Sequence, residues 1–570
     1  MGLVCSRGPS ASALPEPSAP QQDEPRGWQV HAAAAPRCQL DSAAAPTLQT
    51  LCVRLLAQGE LREGDIARLP HALAHSLLDE CVASRRLTRE TLASFLKQCA
   101  VYDVSLALLP VTDEWLDSLV LQERSLQRLS LCGCVRVSDT SLRPVGACTL
   151  LRSLSLAGCS RLTDDGLASL TSLLLLTELS LQGCTRLTGS ALPHIGRLTK
   201  LVSLDMSTCR GVATLAPLRA LAQLERLLLG WTAVTDEDMQ HVASCSSLAH
   251  LQLCRTRVGD TGMAALAGRL PQLRHLDLTG SRVSDASGAA IASFARLTEL
   301  SLTGCTISSA ALRELSSTAT ELSALSVAHT GVTDDGLRSV APLRQLASLD
   351  LECCSVTDAG VAALRACLNL RRLVLSDTAT SNAGLRALAG VPLHTLSLSF
   401  TGVTDVGLDG LSPLLEDLRL DTRGITDAGL RQLSHLPRLR RLDLFGARVS
   451  DAGLPHLLVL RHSLRELDIC GGGVTDAGMP AIAALTLLER LNLSQNWRVT
   501  DESVPHLCTL RQLRSLSLCG TGVTGAGVLL FAVAPPRLEA LAVYGCDVAR
   551  EAEHVQTARP SVRVTFTECD

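Results

Sequence analysis

One motif recurs along most of this chain and leaves it little choice of fold. A representative copy is Leu439-Arg-Arg-Leu442-Asp-Leu444-Phe-Gly-Ala-Arg-Val449-Ser-Asp451-Ala-Gly453-Leu454. Its pattern is L-x-x-L-x-L, a small polar or Cys residue, then V/I/L-[TS]-D-x-G-L and an amphipathic run. Eighteen copies start between Leu126 and Leu538, spaced 22 to 25 residues apart. The L-x-x-L-x-L piece predicts a short strand with leucines pointing inward and the intervening residues outward. A unit of this length cannot bury its own apolar face, so neighbours must stack and share a continuous leucine spine.

Period and pattern resemble those of leucine-rich repeats. The resemblance implies an α/β solenoid, a horseshoe with parallel strands on the concave face and helices on the convex face. Pairs such as Thr163-Asp164, Thr333-Asp334, Thr426-Asp427 and Thr475-Asp476 read as helix starts. Their hydroxyl or carboxylate is expected to accept from the first turn, where an acid also suits the helix dipole. The ninth position of each unit carries Cys134, Cys159, Cys184, Cys209, Cys305, Cys354 and Cys546, with Thr, Ser or Asn in most other copies. These side chains are expected to satisfy backbone groups where the strand turns away.

A solenoid of 570 residues grows by addition, without one enlarging core. The 52 basic and 56 acidic residues give no reason to expect nucleic acid. Many of the 22 cysteines occupy repeat positions, no secretory signal precedes them, and no uninterrupted apolar run reaches membrane-spanning length. The expectation is therefore a reducing, cytoplasmic setting.

In chain order, Met1-Gly2-Leu-Val-Cys5-Ser6 fits the acceptor motif for myristoylation of Gly2, with Cys5 as a neighbouring palmitoylation site. Two acyl chains would hold the protein at the cytoplasmic face of a membrane. Residues 1–45, rich in Ala, Pro and Ser, read as a disordered tail. Residues 46–100 read as a helical module, and 101–570 as the solenoid with degenerate ends. Leu48, Cys52 and Leu56 lie four apart on one helical face. Leu69-Pro70 opens a second helix carrying Leu73, Leu77, Leu78 and Cys81. Thr88 is placed to cap a third, with Leu92, Phe95, Leu96 and Cys99 inside it.

Thr47-Leu48-x-x-x-Cys52-x-x-x-Leu56 resembles the Elongin C-binding box of cullin-RING ubiquitin-ligase receptors. The segment from Leu69-Pro70 to Leu87-Thr88 resembles the helices that join such a box to the repeats in the Zyg-11 family. The Leu-Pro start is also loosely similar to an F-box, which would dock on Skp1. These resemblances imply an adaptor surface at Leu48, Cys52 and Leu56, a cullin behind it, and repeats that face a substrate. A helical cap for the end of the solenoid accounts for the same residues. The whole chain also resembles a plant and green-algal leucine-rich-repeat family, most closely at Leu442–Arg448, Ile469–Gly473 and Leu491–Asn496. The Val-Thr-Asp-Ala-Gly-Leu repeat type is similar to that of F-box receptors.

Outward strand positions form columns along the concave face. Early repeats place small residues there, such as Ser130, Ser155 and Ser180. From Leu415 to Leu488 one column reads Asp417, Arg441, Glu466, Arg490, and the next reads Arg419, Asp443, Asp468, Asn492. Phe445 and Tyr544 are expected beside them, with Phe400 and Trp497 at strand ends. Arg and aromatic residues dominate interface energetics, which makes this a candidate protein-binding patch; an internal ladder of alternating charges explains the same columns. His250, His275 and Glu299, with Cys254 nearby, have metal-ligand types, but a flat strand face does not close a tetrahedron, so no metal and no cofactor are expected. Motifs of nucleotide-binding, hydrolase and metalloprotease chemistry are missing. The reading is a non-enzymatic protein-binding scaffold: a substrate receptor of a cullin-RING ligase, or a membrane-tethered scaffold without that link.

Overall fold

The computed structural model describes Ile66, residues 71–546 and residues 548–566. Gly2, Cys5, Leu48, Cys52 and Leu56 lie outside the described residues. Within them, each L-x-x-L-x-L motif forms a three-residue strand, from Asp103–Ser105 to Arg563–Thr565. Each strand pairs in parallel with the next in sequence, making one 20-stranded sheet. The register puts equivalent residues side by side, as in Leu418, Leu442, Leu467 and Leu491. These leucines are buried and form the spine. Burial of each contributes on the order of 1.5–3 kcal/mol, and it requires a neighbour on both sides. Short α-helices and 3₁₀ turns occupy the opposite side. After Thr163, for example, an α-helix runs Asp164–Leu167 and is followed by a 3₁₀ turn over Ala168–Ser172.

The Thr-Asp pair does more than start a helix. Its carboxylate turns away from its own first turn and reaches the following repeat. Asp139 accepts from the Thr163 backbone N–H at 2.8 Å and its hydroxyl at 2.7 Å. Asp427 accepts from Ser450 in the same way at 2.8 and 2.6 Å, and Asp451 from Thr475. The Ser or Thr then accepts from its own helix, as when Ala452 N–H donates to Ser450 Oγ. One hydroxyl thus caps locally and clamps the preceding repeat. The expectation of a local carboxylate cap is corrected on this point: the carboxylate is an inter-repeat staple.

The staple also explains the Gly in D-x-G. A β-carbon at Gly453 would overlap Asp427 Oδ1, and one at Gly429 would overlap Asp405 Oδ1. Where Ser replaces that Gly, its hydroxyl joins the staple, as Ser141 does to Asp113 and Ser503 to Asp476. Burial alone would raise the Asp113 pKa, but donation from Ser138, Ser141 and Thr140 outweighs it and holds the carboxyl at about 2.

Ninth-position side chains close the other end of each strand. Cys159 Sγ donates to Leu131 O of the preceding repeat at 3.3 Å, and Cys184 to Leu156 O at 3.2 Å. The shorter Thr256 and Thr378 instead donate within their own repeats, to Leu253 O and Leu375 O. Asn496 reaches both carbonyls, Ile469 O and Leu493 O, at 2.9 Å. Burial pushes the Cys159 and Cys209 thiols up to about 12, so these sulfurs are unreactive packing groups.

The first rung is covered by two helices, His71–Ala83 and Arg89–Gln98. Thr88 caps the second, accepting from Thr91 N–H at 3.2 Å, and Leu92, Phe95 and Leu96 are buried beneath it. Cys99 is the C-cap rather than an interior residue. Buried Gln122 joins helix to solenoid, donating to Leu96 O and Cys99 O and accepting from Val101 N–H. It occupies helix-end carbonyls that would otherwise be buried without partners.

Asp427→Ala is expected to lower stability by about 1–3 kcal/mol, because it strands the Ser450 N–H and hydroxyl. Asp427→Asn is expected to cost less than about 1 kcal/mol, since Asn382 already fills this slot, accepting from Thr404 N–H at 2.9 Å and donating to its hydroxyl at 2.8 Å. Urea unfolding midpoints, with amide exchange at Ser450, check this; equal midpoints for the two variants would contradict the staple.

Candidate functional site

On the strand face between Asp417 and Asn492 the charged columns are wired together. Arg441 Nε lies 2.6 Å from Glu466 Oε2, and its Nη1 lies 3.2 Å from Asp417 Oδ2. Arg490 Nη1 continues the chain at 3.5 Å from Glu466 Oε1. Rungs about 4.8 Å apart put alternating charges in direct reach. Arg441 therefore has both edges of its guanidinium engaged and organises its neighbours. Arg490 holds a single long contact here and its side chain is 65% exposed, so it is the more available cation. Arg419 Nε sits 3.7 Å from Asp417 Oδ1, an ion contact too long for a hydrogen bond; that oxygen is buried without a hydrogen-bond partner.

The second column is more acidic. Arg419, Asp443, Asp468 and Asn492 stand in register. Asn492 donates to Asp468 Oδ2 at 2.8 Å. Asp443 and Asp468 also accept from the backbone N–H two residues on, of Phe445 and Cys470. Asp421, absent from the residues expected at the site, stands next to them. Burial raises its pKa to about 6, and the charges of Asp443 and Asp468 push in the same direction. The three carboxylates lie close enough for the charges of Asp443 and Asp468 to act on Asp421.

The aromatic residues separate into different positions. Phe445 and Tyr544 occupy the same register position, two past the strand, but four rungs apart, roughly 19 Å at the usual strand spacing, and both are partly exposed. Phe400 sits one position further, in the left-handed turn (φ 56°). Trp497 lies two positions beyond that register, past buried Asn496, with Arg498 over its ring at 4.7 Å. It lies in the turn that leads to the helices and is not part of the strand columns. Trp231, which sequence reasoning passed over, is a left-handed turn residue like Phe400, covered by Arg255 at 5.4 Å.

The imidazole column weighed for a metal does not converge on a point. His250 and His275 stack at 4.0 Å, and His275 Nδ1 meets Glu299 Oε2 at 2.9 Å. Burial first, then the charge of His275, pull the His250 pKa down to about 4. Among the described residues, the group with three potential donor atoms within 4.8 Å of one another is His329, Glu352 and Cys353. Sequence reasoning considered strand positions alone and missed it, because His329 and Cys353 belong to the turn that follows the strand.

A family model described as Leucine Rich repeat matches residues 147–170 and 345–364. Together with the parallel sheet of stacked units, that decides the class. The fold is that of a leucine-rich-repeat solenoid. No curated protein matches it at a significant level. Solved structures similar to it include a leucine-rich-repeat protein of Leptospira interrogans, at 17% identity over 84% of this chain and 98% of that one, with TM-score 0.38. An internalin from Listeria monocytogenes is 20% identical over 61% of this chain and 82% of its own, with TM-score 0.33. The repeat ectodomain of a plant membrane receptor kinase from Arabidopsis thaliana is 18% identical over 80% of this chain and 60% of its own, with TM-score 0.36. At such scores neither ligand nor activity transfers. Among the described residues, no helix is long and apolar enough to cross a membrane.

The folded chain binds the Asp421 proton more tightly than an unfolded one, whose carboxyl titrates near about 4. Asp421 therefore favours folding below about pH 4 and loses that contribution as pH rises through about 6. Asp443→Asn is expected to lower the Asp421 pKa, read by carboxyl-carbon NMR titration; an unchanged value would remove the Asp443 charge as a cause.

Proposed function

We propose that this leucine-rich-repeat protein is a non-enzymatic scaffold that binds a protein segment on the strand face of its C-terminal repeats. The observation that carries the reading is the convergence of Asp421, Asp443 and Asp468 beside exposed Phe445. A partner presenting a basic side chain to the carboxylates and an apolar group to Phe445 would satisfy both. Arg490 and Arg419 flank this surface and would fix orientation; Tyr544, Phe400 and Trp497 would extend it only for a long partner. Arg441 acts by holding Glu466 and Asp417 in place. Aromatic and Arg anchors of this kind supply most of the affinity of a protein interface.

The specific reading is a substrate receptor of a cullin-RING ubiquitin ligase acting in a reducing cytoplasm. It rests on the resemblance of Thr47–Leu56 to an Elongin C box, and on a helical module that continues into the first rung through Gln122. Hydrogen-bonded, unreactive thiols along the repeats support the reducing setting. The alternative is a scaffold without a ligase link, held at a membrane by acyl chains on Gly2 and Cys5; the Met1–Ser6 motif favours it.

Purified Elongin C and Skp1 are expected to divide these readings. The ligase reading expects one of them to bind the full chain, with Leu48→Ala/Cys52→Ala abolishing Elongin C binding while circular dichroism stays unchanged. Failure of both adaptors to bind would leave the scaffold reading. For the strand face, Phe445→Ala and Asp468→Asn are each expected to weaken capture of one common set of partners about tenfold or more. Retention of that set by both variants would remove the face from the interface.

A further inference from the structure

His329, Cys353 and Asp377 hold the same register position in three successive repeats, with φ of 56°, 55° and 52°. Other copies place Gly there, such as Gly304, whose freedom at positive φ the turn favours. Each backbone is pinned to the following repeat: His329 N–H donates to Glu352 O at 2.7 Å, Cys353 N–H to Ser376 O at 2.9 Å, and Asp377 N–H to Ser399 O at 2.8 Å. The rigid ladder thus delivers three chemically different side chains to one line of adjacent rungs.

Two of them, His329 and Cys353, converge with Glu352 of the middle repeat. One ligand atom each from His329, Glu352 and Cys353 lies within 4.8 Å of the others. Cys353 Sγ is also 3.2 Å from Asp377 Oδ2. A tetrahedral zinc site with bonds of about 2.0–2.3 Å has ligand–ligand edges of roughly 3.3–3.8 Å, so small rotations of exposed His329 and Asp377 and half-buried Glu352 and Cys353 would close one. The flat strand face could not do this; the turn beyond it can. An imidazole nitrogen, a thiol sulfur and carboxylate oxygens are a zinc-type donor set, whereas calcium and magnesium prefer oxygen alone.

A bound divalent ion would bring positive charge to these acidic side chains and deprotonate the thiol.

We propose that His329, Glu352, Cys353 and Asp377 form a zinc-binding site at the edge of the strand face, built from three consecutive repeats.

Titration of chelator-treated full-length protein with Co(II) tests this. The expected result is one equivalent bound with tetrahedral ligand-field bands and a thiolate charge-transfer band, all removed by one equivalent of Zn(II). Cys353→Ser should abolish the charge-transfer band. His329→Gln and Asp377→Asn should each weaken zinc binding at least tenfold, with unchanged circular dichroism. His275→Gln, in the stacked imidazole column, should change nothing. A wild-type protein without the thiolate band, or a band that survives Cys353→Ser, would overturn the site.

Discussion

Everything in this molecule depends on contact between one repeat and the next. No unit has an inside of its own: its leucines are buried only because equivalent leucines lie above and below them. Apolar burial supplies the drive, but it is non-directional and would tolerate sliding. The Asp–Ser/Thr staples and the ninth-position thiols remove that freedom. Each staple ties a side chain of one unit to the backbone N–H and hydroxyl of the following one, so the repeats stack at one register.

That register is what creates a functional face. Strand residues that are 22 to 25 positions apart in sequence become neighbours, and small differences among nearly identical units become local chemistry. Asp417, Arg441, Glu466 and Arg490 cancel one another along one column. Asp443 and Asp468, in the next, act together on Asp421 beside them. The same alignment gathers His329, Cys353 and Asp377 from three turns. A solenoid thus produces its sites by departure from its own consensus, and the departures cluster between residue 329 and residue 497.

Much of the architecture was legible in the chain. The period, the inward leucines, the parallel strands and the helix cap at Thr88 follow from local pattern, because strand alternation and capping are short-range effects. The ninth-position cysteines were legible as structural residues for the same reason. The direction of the aspartates was not. A carboxylate one residue into a helix reads as a local cap, and only the stacking distance shows that the next repeat's N–H is the better-placed donor. The glycine two residues after it is a clearance for the preceding repeat's carboxylate, a role that the pattern alone does not reveal.

The site divides in the same way. From sequence alone came the columns, since register follows from period, and with them the alternating charges and Phe445. Only the tertiary structure decided which of those charges are consumed internally, leaving Arg441 engaged on both sides and Arg490 more open. It also set Tyr544 four rungs from Phe445, put Trp497 under the Arg498 guanidinium, and brought Asp421 and the His329–Cys353 turn into play. The physical reason is one of range: burial pattern and register are fixed by residues a few positions apart, whereas a carboxylate's pKa or a cluster of donor atoms depends on side-chain reach between repeats, which periodicity does not encode.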